Sequence, residues 1–298
     1  MPLRRAAVPA AALLVLAAAA AAFWGAARGA ARPADPEPFF FIQISDPQLG
    51  FGHLRGDITQ DSANLQFAVA AINRLRPAFV VVTGDLVNTQ GNAAQIAEYR
   101  RVVAGVDSTV PVHHVAGNHD VGNAPTPESL EAYRKEFGPD RYTIRREGFT
   151  GIVINSAVAA APDQVPAEAA AQRKWLEGEL RRARAAKSAH LVVFSHHPPY
   201  IQDPAEPDGY LNLPREPRDW LLALLARYEV SHLFAGHRHR DLVVQAPGTE
   251  LVITGSLSRR STDGPSGLRV VQVSGAGITH RYCHLGELPS RVEPAARW

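Results

Sequence analysis

Apolar runs that stop abruptly on polar residues recur along the chain. FFFIQIS (39–45) ends before Asp46, AFVVVTG (78–84) before Asp85 and VPVHHVAG (110–117) before Asn118. AHLVVFS (189–195) ends before His196, and VSHLFAG (230–236) before His237. Short runs rich in β-branched and aromatic residues predict buried strands. Segments with helical period lie among them: 61–76 puts Leu65, Ala68, Val69, Ile72 and Leu75 on one face. Thr126, Pro127 and Glu128 predict a helix start and Gly138 its stop, and 167–187 and 216–228 predict two further helices. Strands alternating with helices predict an α/β layered fold. After His239 the helices cease. LVVQ, ELVITGS, LRVVQVS and ITHRYCH are short strands parted by PGT, DGPSG and GAG, and the earlier RYTIRRE and TGIVINS turn at Gly148. These predict a second, largely antiparallel sheet packed beside the first within one domain. No internal repeat is visible.

The start of the chain has a different character. Arg4 and Arg5 precede an Ala-rich apolar run over 6–24, and AARGAARPADPEP follows. A charged start, an apolar middle and small residues after it predict a secretory signal, or an uncleaved membrane anchor given the length of the run. Residues 1–38, with a Pro-rich linker over 32–38, are therefore set apart from the folded domain of 39–288 and a tail of 289–298. The site is expected to be exported: periplasmic, extracellular or held at the outer face of the membrane.

Composition narrows the class. With 298 residues, 46% of them hydrophobic, the chain can build a large core. The net charge of +2, with Lys and Arg dispersed, offers no nucleic-acid surface. A single cysteine, Cys283, excludes an intramolecular disulfide and a Cys-based zinc site. A monomer is expected.

In open α/β sheets, ligands bind beyond the carboxyl ends of the strands. Asp46, Gln48, Asp85, Asn118, His196, His237 and His239 all fall at such ends. They offer oxygen and imidazole donors without sulfur, a set suited to divalent Mn, Fe or Zn. The set is too large for one tetrahedral zinc but suits two ions about 3.5–4 Å apart, with a carboxylate such as Asp85 able to bridge them. Each motif alone is weak, since DPQ reads as a turn and HHPP as a loop on prolines. Their joint occurrence at strand ends carries the argument.

GDLVN, GNHD, SHHPP and GHRHR resemble the signature blocks of the calcineurin-like metallophosphoesterases, across roughly 39–288. The resemblance implies two packed mixed β-sheets, a β-sandwich, flanked by helices, with two divalent metal ions and hydrolysis of phosphate esters. Most of that family has Asp-x-His in the first block, whereas this chain has Asp46-Pro47-Gln48. That departure, with GNHDVGNAPT and the ending GLRVVQV…ITHRYCHLGEL, is similar to a narrower branch in which some members are described as serine/threonine phosphatases. Carried over by position, Asp46, Gln48 and His239 hold one metal, Asn118, His196 and His237 the other, and Asp85 bridges. The motif favours His196 over His197. His119 is the implied general acid, oriented by Asn88 or Asp120. His53, Arg55, His197 and Arg240 are candidates for gripping phosphate, and Tyr200, Tyr210 and Trp220 either line the cleft or pack.

The expected activity is hydrolysis of phosphomonoesters by a metal-bound hydroxide, with His119 protonating the leaving group. Two divalent ions bring +4 against −2 from Asp46 and Asp85, and the surplus of about +2 suits a phosphate dianion. Two alternatives stay open. One is a phosphodiesterase acting on cyclic nucleotides, nucleic acid or lipid head groups; the other is a metal-stabilised binding module without catalysis.

Overall fold

The computed structural model describes residues 37–52, 56–258 and 264–295. The segment expected as a leader or anchor, residues 1–36, lies outside these, as do His53 and Arg55.

Strand β1 (Phe39–Ile44) sits at the centre of the first sheet and is buried on both faces. Its alternation explains why: Phe40, Ile42 and Ile44 enter one apolar cluster, and Phe39 and Phe41 another. The chain continues through α1 (Thr59–Leu75), β2 (Val80–Thr83), α2 (Ala93–Val103), β3 (Val112–Val115), the single-turn α3 (Asn118–Val121) and α4 (Pro127–Phe137). The hairpin β4 (Tyr142–Arg146) and β5 (Phe149–Val153) turns at Gly148, which has φ +68°. Next come α5 (Ser156–Ala160), α6 (Pro166–Ala185), β6 (His190–Phe194), α7 (Arg215–Arg227) and β7 (His232–Ala235). The chain closes with β8 (Leu242–Ala246), β9 (Thr249–Ile253), β10 (Gly267–Ser274) and β11 (Gly277–His284).

Two mixed sheets result, ordered β11-β10-β1-β2-β3 and β4-β5-β6-β7-β9-β8. Within them β1, β2 and β3 run parallel, as do β5, β6, β7 and β9. This corrects the expectation of a separate antiparallel sheet after His239. The late strands divide: β10 pairs antiparallel with β1, while β9 extends β7 in parallel. Each late hairpin completes an edge of a parallel core that would otherwise leave backbone groups unpaired.

Aromatic residues fill the space between the sheets. Phe41 stacks on Phe79 at 4.8 Å between centroids and meets Phe194 and Phe234 edge-on at 5.7 and 5.6 Å. Such pairs each contribute about 0.5–1.5 kcal/mol beyond area burial. One outer face packs under α1 and α2, and the other under α6 and α7. The segment expected as a tail is partly integral, because Val292 is buried in the first cluster and the Glu293 carbonyl accepts a bond from Gln272.

Candidate active site

The carboxyl ends of β1, β2 and β3 from one sheet, and of β6 and β7 from the other, point to one place. Each strand stops there because its next residues leave the extended conformation. Asp46, Gln48, Asp85, His237 and His239 all have positive φ, between +35° and +68°. Arg76, Lys187 and Glu229, the other such non-glycine residues among those described, follow the ends of α1, α6 and α7. A left-handed residue is routine at a helix end but strained elsewhere, so the first five mark a site whose demands override backbone preference.

Glycines allow the close approach. A Cβ on Gly84 would overlap the His196 ring, and one on Gly117 would overlap Asp85. The glycines of the GD and GNHD motifs are thus required by packing between the loops.

The tightest cluster forms around His196, which is fully buried. Its Nδ1 faces the Thr83 carbonyl at 2.9 Å and therefore carries the proton, leaving Nε2 with a lone pair. Nε2 meets Asn118 Oδ1 at 3.0 Å, His237 Nδ1 at 3.1 Å and Asp85 Oδ2 at 3.3 Å. His237 is fixed in the same manner, with Nε2–H donating to the Tyr210 carbonyl at 2.6 Å, so its Nδ1 also presents a lone pair. Two ring nitrogens facing each other, beside a carboxylate and a carboxamide oxygen, form a donor set that suits a cation. Asp46, Asp85 and His196 also bring ligand atoms within 4.8 Å of one another. Asp46 lies 3.4 Å from His239 Nε2 and accepts the His237 backbone N–H and the Ser45 hydroxyl.

Gln48 lines the same cavity as Asp85 and His239. Its Nε2 donates weakly to Asn88 Oδ1 at 3.4 Å, while its Oε1 is buried without a partner among the described residues. An orphaned buried acceptor among metal-type donors fits a cation. All the ligand positions read from the sequence are thus brought together, and their donor chemistry fits divalent ions.

The electrostatics follow from burial and proximity. Burial alone would raise the Asp85 carboxyl, but the His196 charge and hydrogen bond hold it far below the usual range. Burial would lower His196, yet Asp85 pushes it up to about 9, so without an ion Nε2 takes a second proton at the position a cation would occupy. Burial and the neighbouring His196 push His237 down to about 4.

His119 is placed differently from the ligands. Its backbone N–H donates to Asp85 Oδ1 at 2.9 Å, and its Nδ1–H donates to the backbone carbonyl of Asn88 at 2.6 Å. The ring lines the cavity beside Gln48 and Asp85. The orienting group is therefore the Asn88 main chain, rather than the Asn88 or Asp120 side chain. Asp120 faces away, accepting the N–H groups of Leu86, Val87 and Gly117, and burial with the nearby Asp85 pushes its carboxyl up. It braces the loops that carry Asp85 and His119.

The remaining candidates separate clearly. His197 Nδ1 bonds the Ser156 hydroxyl at 2.9 Å, and the ring lies 4.4 Å from that of His237, beside the ligand group. Arg240 is exposed and lines a neighbouring cavity with Asp241 and Tyr282. Tyr200 is buried and bonds the Gln245 carbonyl, and Trp220 packs under Arg173, so both pack. Tyr210 overhangs the site, its hydroxyl accepting from Asn118 at 3.0 Å. Its loop is held by the fully buried Arg218, which donates to the carbonyls of Pro204, Glu206 and Leu213. Neither Arg218 nor Arg238, which lines the cavity itself, stood out in the sequence.

His232, Glu250 and His280 also gather, at the opposite ends of β7 and β9. Arg269 donates to His280 Nδ1 at 2.8 Å, so Nε2 carries the proton given to Glu250 at 2.7 Å. His232 Nδ1 meets the Ser231 hydroxyl at 3.0 Å and its Nε2 lies 3.7 Å from Glu250, so hydrogen bonds and ion pairing account for the trio.

The comparisons agree with this geometry. Residues 41–241 match the calcineurin-like phosphoesterase family. The serine/threonine-protein phosphatase CPPED1 of Danio rerio is 35% identical over 269 residues, covering 85% of this chain and 87% of that protein. CPPED1 of Homo sapiens is 33% identical over 291 residues, covering 89% and 92%. A dimetal phosphatase structure from Danio rerio shares the fold at TM-score 0.55 and 17% identity, covering 82% of this chain and 99% of that one. The protein is a member of the calcineurin-like phosphoesterase family.

Proposed function

We propose that this metal-dependent phosphoesterase hydrolyses phosphomonoesters at a centre of two divalent ions. Asp46, Gln48 and His239 would hold one ion, Asn118, His196 and His237 the other, with Asp85 between them. The supporting observation is the convergence of the lone pairs of His196 Nε2 and His237 Nδ1 with Asp85 and Asn118 oxygens, beside a histidine that is not part of that convergence. When bound, the ions supply charge to neutralise the phosphoryl oxygens and acidify an attacking water.

The chain's own residues complete the chemistry. The Asn88 carbonyl fixes His119 through Nδ1–H and leaves Nε2 to carry a second proton towards the leaving oxygen. General acid catalysis of this kind contributes roughly 10²–10⁴ in rate. Tyr210 and Phe51 wall the cavity of about 350 Å³ in which the ester would sit.

The test pairs His119→Ala with wild type on an alkyl phosphate, an activated aryl phosphate and a diester. The prediction is a large loss on the alkyl phosphate, a small loss on the aryl phosphate, and full metal content. Equal losses on both monoesters would remove His119 from the acid role, and a wild-type preference for the diester would replace the monoesterase reading.

A further inference from the structure

The loop between His237 and His239 holds one more side chain, that of Arg238. The turn is tight, with both histidines at positive φ and the Arg238 N–H bonded to the Gly236 carbonyl at 2.7 Å. Arg238 therefore stays in the wall of the site, where it lines the cavity with Gln48, Asp85, Asn88 and His119. Its Nε is buried and meets no acceptor among the described residues.

Arg238 as a whole is half-buried, and the two fully buried arginines behave differently. Arg218 has carbonyls and Asp208, and Arg269 has Thr254, His280 and Asp241. A buried donor atom such as this Nε, without a partner among the described residues, is uncommon in folded proteins and here faces the cavity wall. A guanidinium beside residues that gather cations is also repelled, unless an anion of high charge lies between them.

We propose that Arg238 grips a non-bridging oxygen of the substrate's phosphoryl group and so sets a preference for phosphomonoester dianions over diester monoanions. The proposal rests on the phosphatase reading above. A monoester dianion offers a second anionic oxygen to the guanidinium. A diester carries one charge fewer and places an alkyl or aryl group on one of its oxygens. Arg238 is thus the phosphate-gripping residue of this wall, ahead of Arg240 in the adjoining cavity.

The experiment uses the metal-loaded full chain, Arg238→Gln and Arg238→Lys. Three readouts are compared: kcat/KM on an aryl phosphate and on the matching diaryl diester, inhibition by inorganic phosphate, and metal content. Loss of a charge-assisted bond predicts a drop of roughly 10–100-fold on the monoester for Arg238→Gln. Phosphate inhibition should weaken in parallel, the diester should lose less, and metal content should hold. Arg238→Lys keeps the charge without the planar fork and should recover part of the phosphate affinity. Equal losses on both esters, or unchanged phosphate inhibition, overturn the proposal. If the Gln variant fails to fold, the Lys variant decides on the same two readouts. A wild-type preference for the diester sinks the phosphatase reading instead, and Arg238 then stands or falls on phosphate inhibition alone.

Discussion

Gln48 shows at the scale of one residue how the site departs from ordinary chain preference. Its φ is +35°, its backbone N–H bonds the Asp85 carbonyl at 2.8 Å, and its Oε1 is buried without a partner among the described residues. A left-handed residue without a glycine costs about 1–2 kcal/mol, so a turn residue chosen for its own sake would not be glutamine. The carboxamide is a neutral donor, weaker toward transition metals than the imidazole found there in most of the family. On the proposed two-ion reading, the ion assigned to Asp46, Gln48 and His239 should then be the looser one. Gln48→His is predicted to retain more metal after dialysis and to reach half-maximal activity at a lower added metal concentration. Elemental analysis and metal titration of both proteins decide it. Identical retention and identical half-saturation would remove Gln48 from the ligand set.

At the scale of elements, β3 carries a second consequence of burial. His113 meets Phe79 edge-on and lies tilted against Tyr142, while His114 lies between Tyr99 and Phe137 with its Nε2 buried and without a partner among the described residues. Burial first, then the adjacent His113, pushes His114 from 6.5 down to about 4. The unfolded chain binds this proton more readily, so stability is complete above pH 6.5 and is lost as the pH falls from 6.5 towards 4. The loss amounts to about 3 kcal/mol at most. Denaturant melts across that range should show His114→Phe to be less acid-sensitive than wild type, and parallel slopes would refute the assignment. The elements themselves were unevenly legible. Strand ends could be read because apolar runs stop on Asp, Asn or His, and the α4 start was readable from Thr126, whose hydroxyl accepts from Ser129 N–H. Helix α2 escaped because Ile96, Tyr99 and Val102 form only a thin apolar stripe; Asn92, which caps Ala94 and Gln95, was the available signal. The division of the late strands between sheets could not be read, because alternation fixes a buried face but not a neighbour. Arg218 and Arg238 look like solvated arginines in sequence, since Arg218 finds its partners on the preceding loop and Arg238 Nε finds none among the described residues.

Over the whole molecule, the site joins the two sheets. Asp46, Gln48, Asp85 and Asn118 follow strands of the first, and His196, His237 and His239 follow strands of the second. Below them the sheets meet through the phenylalanine cluster and through Gln43, which bonds Thr83 at 3.0 Å and the Ala235 carbonyl at 3.1 Å. Ions held from both sides would clamp the sandwich at the end where the strained ligand residues collect. The unfolded chain disperses the same ligands and cannot hold an ion with comparable strength, so binding stabilises the folded state by mass action. At a free metal concentration about 100-fold above Kd the gain is about 2.7 kcal/mol for each site. For a domain of this size each kcal/mol moves Tm by about 2–4 °C, which predicts a fall of at least 5–10 °C on chelation. Calorimetry with chelator, then with graded return of Mn, Fe or Zn, should show Tm rising with the logarithm of metal concentration. Asp85→Ala should flatten that dependence, because it removes the carboxylate proposed to lie between the two ions. A Tm indifferent to chelation would mean that the sandwich closes without its ions, and the clamp would have to be abandoned.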